Sequence, residues 1–240
     1  MDLKIKDVAE LLNVSETTLK RWVAEAKIPY YRLGGQVCFS PDEIENWVLN
    51  SRGELPPFAT EADDPLEAVE ERLGTRRFAL FRAIHKGGVW NRVPGNNKEE
   101  VIQNSMRLIG RDLKLDPDLL TNLLLDREKL MPTALSRGVA VPHTRDFLLQ
   151  DSYDIVAVVF PEKPIEYGAL DKQPVHTLFF LFACDDKRHL HLLAKIAHLS
   201  SKPELLKKLR AHSTKSEVLE TVREWEGMLH ARDPKLASVN

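Results

Sequence analysis

In the first fifty residues, apolar positions recur at helical spacing and then switch to alternation. Ile5, Val8, Ala9, Leu11 and Leu12 mark one helical face. Asn13-Val14 interrupts it, and Ser15 stands where a second helix needs its N-cap. That helix, about 16–26, would bury Leu19, Trp22 and Val23 and leave Thr17, Thr18, Lys20 and Arg21 outside. "YYRL" and "QVCF", joined by Gly34-Gly35, predict a hairpin. Ser40-Pro41-Asp42-Glu43 then opens a third helix with Ile44, Trp47 and Val48 facing inward.

The pattern changes after residue 50. Residues 51–75, with Pro56-Pro57 and a run of acids, read as a linker whose last part could begin a helix. From 76 to 240, helical and strand patterns alternate. "RRFALFRAIHKGGVW" is an amphipathic helix stopped at Gly87-Gly88, and "NNKEEVIQNSMRLIGRDL" and "DPDLLTNLLLDREKL" are two more. "YDIVAVVF" and "VHTLFFLFAC" are too apolar for surface strands and belong at the centre of a covered sheet. Further helices follow them. The expected fold class is α/β: a large C-terminal domain with a mixed β-sheet flanked by helices, plus a small N-terminal winged helix-turn-helix domain.

Composition narrows the function classes. The chain is 43% apolar and 29% charged, with no stretch long enough to span a bilayer and no signal-peptide core. The expectation is a cytoplasmic protein without membrane insertion. Cys38 and Cys184 are too few and too far apart for a disulfide framework. The formal charge of −2 points to no nucleic-acid binder overall. Within residues 1–50, the six cations Lys4, Lys6, Lys20, Arg21, Lys27 and Arg32 face eight acids, Glu45 among them. DNA affinity rests largely on phosphate neutralisation, so protein contact stays open as the alternative use of this unit.

Among the eight histidines, His85, His212 and His230 lie on polar helical ends, and His176 and His198 read as structural. His189 and His191 are two apart, which on a helix sends them to nearly opposite sides, and no metal-ligand motif appears. Neither a metal nor a cofactor is therefore expected. His143 remains, in "GVAVPHTR": a short apolar strand, Val139 to Val141, ended by Pro142, then a histidine facing a cleft. Histidine as a nucleophile toward phosphorus needs an accessible imidazole and cations or donors for the phosphoryl oxygens. Arg127, Thr133 and Arg137 lie just upstream.

Two resemblances attach to these residues. "KIKDVAELLNVSETTLKRWVAEAKIPYYRLGGQVCFSPDEIENWV" resembles the MerR/excisionase family of DNA-binding domains. That resemblance implies DNA contact through Thr17, Thr18, Lys20 and Arg21 on the second helix and Arg32 on the wing, with a homodimer as the binding form. Residues 76–236 resemble the IIA proteins of the phosphotransferase system, fructose/mannitol class and its nitrogen-regulatory branch. The motifs are "GGVWNRVPGNNKEEVIQNSM", "DREKLMPTALSRGVAVPH" and "IEYGALDKQPVHTLFFLFACDDKRHLHLLAKIAHL". The resemblance implies that His143 is phosphorylated, that His189 steadies the phosphoryl group and that Arg127 binds it. Thr133, Gly138 and Thr144 are weaker phosphate-binding candidates. Ser136 and Thr144 depart from the family pattern, which often has glycine there.

Together these imply a phosphotransferase-system component that takes a phosphoryl group from the histidine phosphocarrier protein. Its N-terminal unit would couple phosphorylation state to DNA or to regulatory protein partners. The alternatives are a sugar-specific IIA that passes phosphate to a IIB domain, and an interaction adaptor that does not bind DNA.

Overall fold

The computed structural model describes residues 2–12, 14–51, 78–113, 115–144, 153–211 and 214–231. Nearly all of the expected 51–75 linker, and His212, lie outside them. The N-terminal unit runs β1 (Leu3–Lys4), α1 (Ile5–Leu12), α2 (Glu16–Ala24), β2 (Tyr31–Leu33), β3 (Gln36–Phe39) and α3 (Pro41–Asn50). Its sheet has the order β1-β3-β2, all antiparallel, with Leu3 opposite Phe39. Ser15 caps α2, its hydroxyl accepting from the Thr18 amide at 3.0 Å. Pro41 starts α3 with its φ already helical and no amide to lose. Two-residue β1 escapes prediction because it is too short to show a period.

The C-terminal unit contains α4 (Ala79–Gly87), β4 (Val89–Val93), α5 (Lys98–Leu113), α6 (Pro117–Leu130), β5 (Val139–Ala140), β6 (Ile155–Pro161) and β7 (Thr177–Phe182). It ends with α7 (Asp186–Ser200), α8 (Pro203–Ala211) and α9 (Lys215–Ala231). The sheet order is β4-β6-β7-β5, so the two most apolar runs, β6 and β7, are the central pair. They pair antiparallel, while β4 and β5 run parallel to their neighbours, which makes the sheet mixed. β4 is an edge strand whose Asn91 and Arg92 are exposed, and this polar centre hides it from a search for apolar runs. At Gly87 a Cβ would lie 2.3 Å from the Val156 carbonyl oxygen, so only glycine lets α4 end against β6.

Alternation divides the sheet into two faces. Ile155, Ala157, Val159, Leu178 and Phe180 join the core shared with α5 and α6. Val156, Val158, Phe179 and Leu181 join the opposite core, which holds residues of α4, α7, α8 and α9. That second core is continuous with the core of the N-terminal unit. α1 and α3 pack on α7, and every residue from His189 to Ser200 is buried. A helix on the outside of a sheet ordinarily keeps one wet face. α7 has none along that stretch because the N-terminal unit covers part of it and α4, α8 and α9 pack on the rest. No helix among the described residues is long and apolar enough to cross a membrane.

The two ends of the C-terminal unit are tied by one buried acid. Phe78, at the N-cap of α4, makes no side-chain cap bond. The Glu226 carboxylate on α9 supplies the cap, accepting from the amides of Leu80 (3.2 Å) and Phe81 (2.9 Å), and it is neutralised by Lys195 of α7. Glu226→Ala would leave Lys195 buried without its carboxylate and two helix amides uncapped. The expected cost is about 3–5 kcal/mol, read as a lower urea midpoint. His198 is stacked on Trp225 at 5.8 Å between ring centroids, and burial, aided by Lys202, pushes its pKa down to about 4. The unfolded chain, near 6.5, therefore binds the proton first. Stability from this group is full above about pH 6.5, falls as pH drops toward about 4, and the loss then levels off. About 2–3 kcal/mol is expected from this group, and His198→Phe should remove that part of the slope in urea titrations.

Candidate functional site

Strand β5 ends at Ala140, but the chain stays beside β7. Pro142 has no amide to give, yet its carbonyl accepts from Leu181 N at 3.0 Å, and His143 bridges to Leu181. This continued pairing fixes the histidine at the sheet's edge. The Nδ1 atom of His143 lies 2.7 Å from the Val141 carbonyl oxygen. A carbonyl only accepts, so Nδ1 carries a proton and Nε2 is the atom turned to the site. His143 is 0% exposed, where the sequence reading has it facing an open cleft.

The cover is a side chain from the other unit. Glu45 of α3, 1% exposed, places Oε1 at 3.0 Å from His143 Nε2. A terminal nitrogen of Arg127, near the end of α6, donates to the same oxygen at 2.8 Å. The other terminal nitrogen of Arg127 donates to the Met131 carbonyl at 3.0 Å, which fixes the guanidinium. His189, in the first turn of α7, brings Nε2 to 3.4 Å from Glu45 Oε2. The His143 and His189 rings meet edge-on at 4.9 Å. Arg127, His143 and His189, from three separate stretches of chain, thus converge on one carboxylate. Burial alone would raise the pKa of Glu45, but the hydrogen bonds and charges of His143 and His189 outweigh it. They hold the carboxyl well below the usual carboxylate range.

Sequence reasoning passed over Glu45, counting it only as an acid opposed to DNA. A signal exists: Glu45 shares a helical stripe with Val48 and Leu49, both buried, so its side chain leaves α3 on the apolar side. Glu45, His143 and His189 also offer one ligand atom each within 4.8 Å of one another, the spacing of a metal cluster. The Arg127 guanidinium on Glu45 Oε1 already brings a fixed positive charge there, so this donor set suits an anion better than a cation.

Two stretches of the chain match known family models. Residues 83–225 match the family model described as "Phosphoenolpyruvate-dependent sugar phosphotransferase system, EIIA 2". The chain belongs to the EIIA 2 family. Residues 3–52 match a helix-turn-helix domain model. The nitrogen regulatory protein of Escherichia coli is 32% identical over 151 residues, 62% of this chain and 91% of that protein. The one from Pseudomonas aeruginosa is 34% identical over 125 residues, 51% of this chain and 80% of that protein. The crystal structure of nitrogen regulatory protein IIA-Ntr from Neisseria meningitidis superposes with a TM-score of 0.51 at 26% identity, covering 56% of this chain and 91% of that one.

Within the EIIA 2 domain the weaker candidates take different places. Thr133 is fully buried, and both its amide and its hydroxyl go to Glu128, the residue beside Arg127. Gly138 has φ +74°, and a Cβ there would lie 2.5 Å from His176 Cδ2 and 2.9 Å from the Pro174 carbonyl oxygen. Its carbonyl accepts from His176 N, so it shapes the loop leading into β5. Thr144 is buried directly after His143. On the helix-turn-helix domain, Thr17, Lys20, Arg21 and Arg32 are exposed. The Thr18 hydroxyl is half-buried and shared with Ser15 at the α2 cap.

Proposed function

We propose that this protein is a phosphotransferase-type regulator whose His143 accepts a phosphoryl group from the histidine phosphocarrier protein. The observation that carries this reading is the convergence of Arg127, His143 and His189 on one carboxylate. The Nδ1 proton of His143 is committed to the Val141 carbonyl, which leaves Nε2 as the nucleophile once it holds a free electron pair. In the transfer, that pair forms the new P–N bond. The P–N bond of the donor phosphohistidine breaks, and the donor imidazole keeps its electrons. Arg127 offers fixed donors to the phosphoryl oxygens, and His189 stands on their other side. Such positioned charge supplies most of the catalysis in phosphoryl transfer.

The output would be regulatory. The helix-turn-helix domain contacts DNA through α2, with Thr17, Thr18, Lys20 and Arg21 toward the groove and Arg32 toward the backbone, in a homodimer. Nitrogen regulatory proteins being close in sequence supports regulation over sugar transport. The protein works in the cytoplasm, where its phosphoryl donor would be met.

Phosphoenolpyruvate and the cascade enzymes should label the wild type, and His143→Ala should stay unlabelled. Arg127→Ala should accept phosphate about 100-fold more slowly, the usual loss when one preorganised donor to a transferring group is removed. Equal labelling of His143→Ala and wild type would sink the assignment.

A further inference from the structure

We infer that Glu45 is a built-in stand-in for the phosphoryl group: the helix-turn-helix domain closes the phosphoacceptor pocket of its own chain, and phosphorylation of His143 expels it. This rests on the phosphoacceptor reading of His143. Glu45 brings an anion into the space that the donors of a phosphoryl pocket surround. Arg127 and His143 meet one of its oxygens at 2.8 and 3.0 Å, and His189 faces the other at 3.4 Å. A phosphorus bonded to Nε2 would project along the direction now taken by Oε1. The two anions exclude each other, by volume and by like charge in a buried site.

The docked carboxylate blocks transfer in two further ways. With His143 at 0% exposure, a phosphocarrier cannot present its phosphohistidine to Nε2 while α3 lies over it. A carboxylate also only accepts, so its bond to Nε2 requires a proton on that nitrogen and occupies the electron pair the reaction needs.

The closure is a whole interface and not one contact. α1 and α3 pack on α7, and Val8, Leu11 and Val48 share a continuous apolar cluster with Leu190, Leu193 and Ala197. Asp7 of α1 pairs with Lys187 at the start of α7. Thr17, Lys20 and Arg21 on α2 stay exposed in the docked state. Expulsion therefore changes where the DNA-reading helix is held, not whether its face is bare. Apolar packing favours docking in the unphosphorylated chain, and the phosphoryl group reverses the balance by removing the central ion pairs and replacing them with repulsion.

The test compares full-length wild type, Glu45→Gln and Glu45→Ala in transfer from the phosphorylated phosphocarrier, with rates from quenched-flow labelling of His143. Glu45→Ala should accept phosphate at least about 10-fold faster than wild type, because its open form is no longer a minor population, with Glu45→Gln between them. Hydrogen exchange over residues 41–50 and 186–200 gives an independent readout. It should rise in unphosphorylated Glu45→Ala and in phosphorylated wild type. If His143 is labelled at equal rates in all three proteins, or exchange is unchanged on phosphorylation, the inference is overturned and the phosphoacceptor reading stands. If none of the three is labelled, both fall. Glu45→Gln keeps the side-chain volume while removing the charge that Arg127, His143 and His189 of the EIIA 2 domain meet.

Discussion

Arg127, His143 and His189 are brought by the EIIA 2 fold into a space where positive charge and hydrogen-bond donors accumulate, and that space calls for an anion. In this structure Glu45 supplies it. A buried carboxylate without such partners would cost several kcal/mol. Donors converging on each other without an anion would be penalised in the same way. The closure of the pocket depends on this mutual requirement, within an interface that apolar packing of α1 and α3 on α7 also holds.

The arrangement explains why α7 carries so many polar residues on buried faces. His189, His191, Lys195 and His198 would suit the outer side of a helix resting on a sheet. Three of them are covered by another element: α3 puts Glu45 above His189, and α9 puts Glu226 beside Lys195 and Trp225 against His198. One helix thereby links the candidate site to the clamp that holds α4 and α9 together. The two buried acids play parallel roles, since Glu226 neutralises Lys195 while capping α4, and Glu45 answers Arg127 while capping the pocket.

Most of the fold was legible along the chain. The hairpin at Gly34-Gly35, the Ser15 cap, the stop at Gly87-Gly88 and the central strands β6 and β7 all follow from local rules on turns, caps and apolar runs. β1 and β4 were not, being respectively too short and too polar to leave a periodic signal. At the site, His143 and Arg127 stood out from the residues themselves, while their roles and the choice of His189 came through a resemblance. Their convergence has no local signature, because they lie on a helix end, a strand end and a helix start. Thr133 was named for its place in the motif, and only packing shows its hydroxyl turned to Glu128.

The sequence by itself determined most of the helices, the hairpin and the central strands, since these depend on neighbours a few positions apart. Only the tertiary structure decided that the two units share a core and that a carboxylate from the first fills the pocket of the second. Helical spacing puts Glu45 on the stripe of Val48 and Leu49, but it cannot say what that stripe meets. The answer lies 98 positions away at His143, where a charge can be buried only because the fold brings its partners to it.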